Sequence, residues 1–315
     1  MVQHLALEYR TQEGGHFKLY KIDDIPFYAV ENLIDYNFND GSFDRWQIAI
    51  DEGVHSEKKN YYFVIDTKFD DAISHWVIES AVFLPYFKEL KKEFPSLKLI
   101  LKSEKTYKYL FAAFFEIEKT DIVYETEKNK GNLAFFPPPV VAQNNPNTSD
   151  EQLKLVESII PRFYTIFDEF EPCILSDIEY VILPRQKKEN YRPNDRTISY
   201  GNLIDYFNKS GSVFTSSIVN TDDITDLKEQ LRLVRKGKTI ILTEGAATIV
   251  NSLFCKEKIL LVNGQHMKNL TGRFPCARLL VDFLMKRNTM HWFFDQNGII
   301  NHIEEKRVLS IVQEG

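Results

Sequence analysis

Short apolar segments alternate with longer, helix-patterned segments along the chain, and this alternation predicts an α/β fold with parallel strands covered on both faces. A segment rich in proline and asparagine, 135–150, interrupts the alternation, which resumes after it. The length of 315 residues suits two domains of roughly 150 residues each. We therefore expect two Rossmann-like domains in tandem that face a cleft, with a ligand site in that cleft.

The first half of the chain contains three predicted strands and two predicted helices. The strands are short, nearly continuous apolar runs at 61–66, 97–101 and 121–124. The segments between them, 70–94 and 106–115, space their apolar residues as helices do. Strand and helix thus alternate, as they do in a parallel sheet.

Three consecutive prolines at 137–139 mark the predicted domain boundary, because proline fits neither a helix interior nor a central strand. Ser149 or Asp150 can cap a helix that continues to Phe170. We predict domains at 1–140 and 150–290. The alternative is an exposed loop within a single domain.

The second half repeats the pattern of strands and helices. The predicted strands lie at 180–183, 212–218, 239–242 and 258–262, and the predicted helices at 200–210, 222–236, 247–254 and 276–286.

Charge and composition exclude several classes of protein. The chain has 39 Lys and Arg against 45 Asp and Glu, whereas a general nucleic-acid binder needs a cationic surface for the phosphates. Its three cysteines are too few and too far apart for a disulfide framework or a Cys-x-x-Cys zinc site. No run of about 18 apolar residues occurs, and the N-terminus lacks a signal-peptide pattern. We therefore expect a cytoplasmic protein without a membrane span.

Several catalytic motifs are absent from the sequence. There is no Gly-x-x-x-x-Gly-Lys-Ser/Thr phosphate loop, no Gly-x-Gly-x-x-Gly fingerprint, no His-Glu-x-x-His and no Gly-x-Ser-x-Gly. The Asp-x-Asp triplet with which many sugar-nucleotide enzymes hold a divalent metal is missing as well. ATPases and common dehydrogenases are therefore disfavoured.

Two ionisable residues, His75 and Glu79, are four positions apart in the first predicted helix and share one of its faces. The helix is otherwise strongly apolar, so both groups are costly unless they are paired or functional. A carboxylate held beside an imidazole in a cleft can act as a general base. A structural His–Glu pair is the competing interpretation.

In the second domain, a predicted strand leads into a turn of mostly small residues and then into a helix; the turn is Glu244, Gly245, Ala246 and Ala247. Small residues let a ligand approach the backbone, and a helix N-terminus after a parallel strand suits a phosphate. Arg185 directly follows another predicted strand, Arg196 lies in the next loop, and both can reach diphosphate oxygens. His266 follows a third strand and is a further candidate contact. Tight packing of the turn and solvation of the arginines are the alternatives.

Three sequence blocks, in this order, resemble glycosyltransferase family 61, whose members carry a domain once called unknown-function 563. SHWVIESAVFLPYF is similar to the family's Phe/Tyr-His-Trp/Asp…Asp/Glu…Leu-Pro block, and PRQKKENYRPNDRTISYGNLIDYF to its Arg…Arg-x-Ile-x-Asn block. DLKEQLRLVRKGKTIILTEGAATIVNSLF is similar to the block that contains His-Gly-Ala-Gly-Leu-x-Asn-x-Leu-Phe. The blocks span about 70–262, and the Gly-Ala…Asn…Leu-Phe pattern is the most specific part.

The chain departs from the family pattern at four positions. Glu244 stands where the family usually has His, and Ala247 replaces the second Gly. Tyr200 occupies the position at which the family pattern has Asn. Asn263 lies where a Glu commonly follows the next strand. Donor identity therefore does not carry over from the family.

The resemblance implies a GT-B fold, a nucleotide-sugar donor, and inversion at the anomeric carbon with no essential metal and no cofactor. It implies that the C-terminal domain binds the donor, through Arg185, Arg196, the turn at 244–247 and Asn251. The N-terminal domain would present the acceptor, with Glu79 as the base and His75 orienting or replacing it. A helix-forming stretch around 278–294 and the segment 291–315 would return toward the N-terminal domain.

We accordingly expect a hexosyl- or pentosyltransferase of polysaccharide biosynthesis, with a UDP-linked donor such as UDP-xylose or UDP-N-acetylglucosamine. Its acceptor would be a glycan or a lipid-linked saccharide. One alternative is a non-catalytic saccharide- or nucleotide-binding module on the same fold. Another is a nucleotide-sugar epimerase, which the missing Gly-x-Gly-x-x-Gly disfavours.

Overall fold

The computed structural model describes residues 2–10, 16–31, 33–38, 46–50, 60–66, 73–124, 133–138, 149–170, 180–183, 216–218, 226–235, 239–243, 251–252, 254–255, 258–262, 278–280, 282–283 and 289–293. The chain forms two compact units, Met1–Ala142 with Thr148–Phe163 and Gln143–Asn147 with Tyr164–Gly315. Each unit combines helices with a sheet, which confirms the predicted α/β class. The predicted domain limits, and the arrangement of two Rossmann-like domains facing a cleft, stay predictions. Within the described ranges, no helix is long and apolar enough to cross a membrane.

In the residues that the structure describes, the first unit contains a seven-stranded mixed sheet. Its strands are β1 (Val2–Arg10), β2 (His16–Ile22), β3 (Ile25–Glu31), β6 (Tyr61–Val64), β7 (Leu97–Leu101), β8 (Ile122–Tyr124) and β9 (Leu133–Phe136). They lie in the order β1-β2-β3-β9-β6-β7-β8. A separate antiparallel pair consists of β4 (Leu33–Phe38) and β5 (Trp46–Ile50).

The prediction of a wholly parallel sheet is wrong for this unit, because β1, β2, β3 and β9 pair antiparallel. The turn between β2 and β3 consists of Asp23 and Asp24, whose φ angles are 48° and 67°. Two-residue hairpins with such angles match the twist of the flanking strands, and Asp tolerates the left-handed region better than most residues. The N-terminal strands thus extend the sheet as hairpins.

Besides its antiparallel pairing with β3, β9 pairs in parallel with β6, and the strands in the spatial order β8-β7-β6-β9 are all parallel. Numbered by their order in the chain, these four strands lie in the spatial order 3-2-1-4. The second and third strands lie on one side of β6 and the fourth lies on the other side, so the strand order reverses at β6. The connections from β6 to β7 and from β7 to β8 step the same way across the sheet. Right-handed connections therefore place the helices of both on one face.

Those connections contain α1 (Ile73–Glu79), α2 (Leu84–Glu93) and α3 (Thr106–Phe114), with a short 3-10 helix at Ala81–Phe83 before α2. The prediction of one helix over 70–94 is wrong, because the helix breaks at Ser80, whose φ and ψ are −124° and −56°. Pro85 explains the break: without an N–H it fits only the first turn of a helix, so α2 starts beside it.

Aromatic side chains fill the space between the sheet and these helices. Phe27 of β3 contacts Phe63 of β6, Phe83 of the 3-10 helix and Tyr86 of α2. The opposite face of the sheet carries a second buried cluster, composed of Val30, Tyr62, Val64, Ile100, Ala134 and Phe136. The sheet therefore has an apolar layer on both faces.

The helix predicted to run from Ser149 or Asp150 to Phe170 is α4 (Asp150–Glu169). Its Phe163 stacks on Phe111 of α3 within the first unit. The next residue, Tyr164, packs edge-to-face on Phe283 within the second unit. The division between the units thus falls inside this helix.

The second unit contains a wholly parallel five-stranded sheet in the described ranges. Its strands are β10 (Tyr180–Leu183), β11 (Ser216–Ile218), β12 (Thr239–Thr243), β13 (Lys258–Val262) and β14 (Thr289–Phe293). They lie in the order β11-β10-β12-β13-β14, which is 2-1-3-4-5 in chain order. An amphipathic helix of this unit, α5 (Leu227–Arg235), lies inside the helix predicted at 222–236.

The predicted helix-forming stretch around 278–294 is wrong at its end. Residues 278–280 and 282–283 are helical, but Thr289–Phe293 is β14 and pairs in parallel with β13. A β-branched residue and two aromatic ones in TMHWF suit a strand. Residues 291–293 therefore belong to the second sheet, and the rest of the predicted returning segment, 294–315, lies outside the described residues.

Arg235, the last residue of α5, holds the C-terminus of α4. Its guanidinium donates to the backbone carbonyls of Phe167 and Phe170, and at 3.0 Å to that of Phe254. The side chain is only 6% exposed. A cation at this place satisfies the carbonyls that the end of a helix leaves without partners.

Candidate functional site

The carboxyl end of β6 is where the order of parallel strands reverses in the first sheet, with β7 on one side and β9 on the other. In open α/β sheets, ligands bind at such reversal points, outside the carboxyl ends of the strands. Asp66 lies two residues after β6, and α1 begins at Ile73. Asp66 and Trp76 of α1 contact each other there, so the segment after β6 and the helix α1 meet near the carboxyl end of the strand.

His75 and Glu79 are brought together by α1 as their spacing predicts. The Nδ1 atom of His75 lies 2.6 Å from Oε1 of Glu79. The His75 side chain is 15% exposed, whereas that of Glu79 is only 1% exposed. The pair is therefore anchored in the interior by the carboxylate and reaches the surface through the imidazole.

The chemistry of this pair follows from what each group can donate. An ionised carboxylate only accepts hydrogen bonds, so Nδ1 of His75 carries the proton when Glu79 is ionised. The lone pair of a neutral imidazole then lies on Nε2, which is the nitrogen that can accept a proton from another molecule. The arrangement is that of an imidazole base oriented by a buried carboxylate.

A second buried polar group is centred on Asp66 and contacts α1 through Trp76. Oδ1 of Asp66 accepts from the indole Nε1 of Trp76 at 2.6 Å. Oδ2 accepts from the backbone N–H of Lys102 and from Nζ of Lys108, both at 2.7 Å. Burial raises the pKa of the Asp66 carboxyl, and the Lys108 ammonium and the N–H donors oppose that rise.

Lys108 lies in the first turn of α3 and is fully buried, which is rare for a lysine without a partner. Besides Asp66, its Nζ contacts Oγ of Ser103 at 3.2 Å and lies 5.9 Å from the centre of the Trp76 ring. Sequence reasoning missed Asp66, Trp76 and Lys108. The available signal was an aspartate that ends the buried run YYFVID, where a carboxylate needs a partner.

In the second sheet, β10 and β12 are neighbours, and Leu183 pairs with Leu242 near their carboxyl ends. The strand order 2-1-3-4-5 also reverses here, between the first and third strands. Arg185 follows β10 by two residues, and Glu244 follows β12 directly. Of the predicted donor contacts, Arg185, Arg196, Glu244, Gly245, Ala246, Ala247 and His266 lie outside the described residues.

Asn251 is the predicted donor contact that the structure describes. It is 1% exposed, and its Oδ1 accepts from Nε2 of Gln230 on α5 at 2.7 Å. Its backbone carbonyl accepts from the N–H of Phe254 at 3.0 Å. These bonds give Asn251 a structural part in joining two helical segments, and its contact with a donor stays a prediction.

Metal ligation was not expected from the sequence. Among the residues that the structure describes, no group of three or more His, Cys, Asp or Glu side chains is placed to hold a metal ion.

Comparison of the chain with models of known protein families found no match, and comparison with curated protein sequences found none either. The resemblance to glycosyltransferase family 61 therefore rests on the three sequence blocks.

Proposed function

We propose that the protein is an inverting glycosyltransferase that needs no metal and acts in the cytoplasm. It would move a sugar from a nucleotide diphosphate, such as UDP-xylose or UDP-N-acetylglucosamine, to a glycan or a lipid-linked saccharide. The observation that carries the proposal is the hydrogen-bonded His75–Glu79 pair on α1, the helix whose Trp76 contacts Asp66 just beyond the carboxyl end of β6, where the order of the parallel strands reverses. This pair lies in the first of the three blocks that resemble the family.

In the proposed reaction, the base removes the proton of an acceptor hydroxyl while the hydroxyl oxygen bonds to the anomeric carbon. The bond from that carbon to the diphosphate oxygen breaks on the opposite face, and the diphosphate leaves with the electron pair. The transition state resembles the oxocarbenium ion of glycoside hydrolysis. Attack opposite to the leaving group inverts the anomeric configuration.

The burial of the pair favours His75 as the group that touches the acceptor. Glu79 is 1% exposed and bonded to Nδ1, whereas His75 is 15% exposed, so Nε2 is better placed to receive the proton. Glu79 would then fix the tautomer and stabilise the imidazolium that forms. This is the second of the two arrangements expected from the sequence, in which His75 replaces Glu79 as the base.

The second unit suits the donor in this proposal. Its strands are parallel and their order reverses between β10 and β12, which is where α/β sheets bind nucleotides. Arg185 and the turn at 244–247 follow those two strands in the sequence. Arginines and backbone N–H groups there would neutralise the leaving diphosphate in the absence of a metal.

Donor binding is tested by thermal unfolding with UDP, GDP, CMP, ADP or NAD, each with and without EDTA. A ligand at about 100 times its Kd stabilises the folded state by about 2.7 kcal/mol, which shifts the melting temperature visibly. The proposal expects stabilisation by UDP or GDP that EDTA does not change and that Arg185→Ala removes. Stabilisation by NAD alone would favour an epimerase, and no stabilisation by any nucleotide would contradict the proposal.

Catalysis is tested by the release of UDP from a UDP-sugar in water, a slow transfer that requires no acceptor. The informative variant is Glu79→Gln, and Glu89→Gln is its control because Glu89 is a half-buried glutamate of α2 that is paired with Lys92. UDP binding without any turnover, in the unaltered protein, would instead identify a non-catalytic binding module.

A further inference from the structure

We propose that Asp66 is a positioning residue, which docks the first turn of α1 against the sheet and thereby keeps the His75–Glu79 pair aimed at the sheet edge. The inference rests on the proposed function of that pair. Asp66 itself is fully buried, so it would act through other residues and not on the substrate.

Three elements converge on the Asp66 carboxylate from different parts of the chain. Trp76 donates from α1, the N–H of Lys102 from the residue after β7, and Lys108 from α3. Each donor meets a separate lone pair, so the carboxylate constrains the direction from which each element approaches. One residue at the end of β6 therefore ties the sheet edge to two helices.

Apolar residues in this place would hold the same elements together without the cost of burying two charges. Replacement of a buried ion pair by well-packed apolar side chains is often neutral or stabilising. Directional bonds add orientation, which apolar packing fixes less strictly. We therefore attribute the Asp66–Lys108 pair to placement of α1 and α3 and not to stability alone.

The connection from Asp66 to the candidate base runs through one side chain. Trp76 is fully buried, lies against Tyr107 and Phe111 of α3, and is the residue after His75. When its indole N–H is held by Asp66, the rotation of α1 about its axis is fixed. That rotation keeps the Glu79 carboxylate in the interior while His75 reaches the surface.

The proposal is tested by NMR on protein labelled with 15N-histidine, which needs no substrate. A proton on Nδ1 that is bonded to a buried carboxylate gives a downfield resonance in slow exchange with water, and His75→Asn assigns it. Trp76→Phe keeps an aromatic ring in place but removes the donor to Asp66. Val30→Ala is the control, because it truncates a buried residue of the cluster on the other face of the sheet.

We expect the His75 resonance to be retained in Val30→Ala and to be lost or broadened in Trp76→Phe and in Asp66→Asn, because rotation of α1 would expose the buried Glu79 carboxylate and the Nδ1 proton to water. If Asp66→Asn does not fold, Trp76→Phe decides alone. Retention of the resonance in folded Trp76→Phe would overturn the proposal, as would an equal loss in Val30→Ala.

A kinetic readout separates this proposal from the proposed function. In donor hydrolysis, Trp76→Phe should lower kcat by about tenfold, the effect of a misplaced base, and leave the KM for the donor within about twofold. A rise in KM without a fall in kcat would contradict positioning. If the unaltered protein shows no turnover, the glycosyltransferase proposal fails, while the NMR result still decides whether Asp66 positions the pair.

Discussion

Removal of the Lys108 ammonium should destabilise the first unit by an amount that depends on pH. In Lys108→Met, the buried Asp66 carboxylate keeps its two N–H donors but loses its counter-charge. The folded protein can then avoid a buried unpaired charge by protonating Asp66, because burial already raises the pKa of this carboxyl.

The cost of that protonation sets the magnitude. An unfolded aspartate has a pKa of about 3.9, so protonating it at pH 7 costs about 4 kcal/mol, and at pH 5 about 1.5 kcal/mol. In the variant, the folded state binds a proton that the unfolded state does not bind. Stability therefore falls as pH rises, by about 1.4 kcal/mol per pH unit over this range.

Amide hydrogen exchange of α1 and α3 at pH 5, 6 and 7 is the suitable assay, because it reports on the first unit even if the two units unfold separately. Asp66→Asn with Lys108→Met is the control, since it removes both charges and should show no such pH dependence. A loss below about 1 kcal/mol at pH 7, or a loss independent of pH, would refute the assignment of an ionised, Lys108-paired Asp66.

Three further substitutions test separate features of the two units. Arg235→Met removes the donors to two carbonyls at the end of α4 and to the carbonyl of Phe254, and it should lower the stability of the second unit by about 3 kcal/mol in urea unfolding. An effect below about 1 kcal/mol would contradict the capping contact. Ser80→Ala should be neutral or stabilising by up to about 1 kcal/mol, because among the described residues Oγ of the buried Ser80 has no hydrogen-bond partner; a clear loss of stability would reveal one. For Asp121, burial acts to raise the pKa, but the ion pairs with Lys91 and Lys98 outweigh it and lower the pKa below its usual value. The carboxylate thus stabilises the protein above about pH 4 and loses this effect as pH falls through the lowered pKa, so Asp121→Asn should cost about 1 kcal/mol at pH 7 and nothing in strong acid. Unfolding curves at both pH values check this, and an equal cost at both would contradict it.

Strands with a nearly continuous apolar run were predictable from the sequence, and those with other patterns were not. LKLIL and KILLV lie between polar residues, and the structure places β7 and β13 at the predicted limits. HFKLYKI in β2 alternates polar and apolar residues only over its first four positions, which is a weak strand pattern. LAFF in β9 stands directly before three prolines, whose loop character concealed a central strand.

In the candidate site, the contact between residues close in the sequence was predictable, and the contact between distant residues was not. His75 and Glu79 are four residues apart, so local helix geometry places them on one face of α1, within reach of each other. Asp66 and Lys108 are 42 residues apart and meet only because β6, β7 and α3 pack as they do. A buried lysine in an amphipathic helix has the same sequence pattern as a solvated one, so its partner is visible only in the tertiary structure.

The most direct test of the proposed function compares Glu79→Gln with Glu89→Gln in the release of UDP from UDP-N-acetylglucosamine and UDP-xylose. A general base contributes about 100- to 10,000-fold, and a glutamine at position 79 can donate to Nδ1 of His75 and so favour the wrong tautomer of that base. Glu79→Gln should therefore lose at least about 100-fold in kcat. The rise in its melting temperature on addition of UDP should equal that of the unaltered protein, because Glu79 lies in the first unit and the proposed donor site in the second. Glu89→Gln should leave turnover unchanged. Turnover by Glu79→Gln equal to that of Glu89→Gln would contradict the catalytic role of the pair.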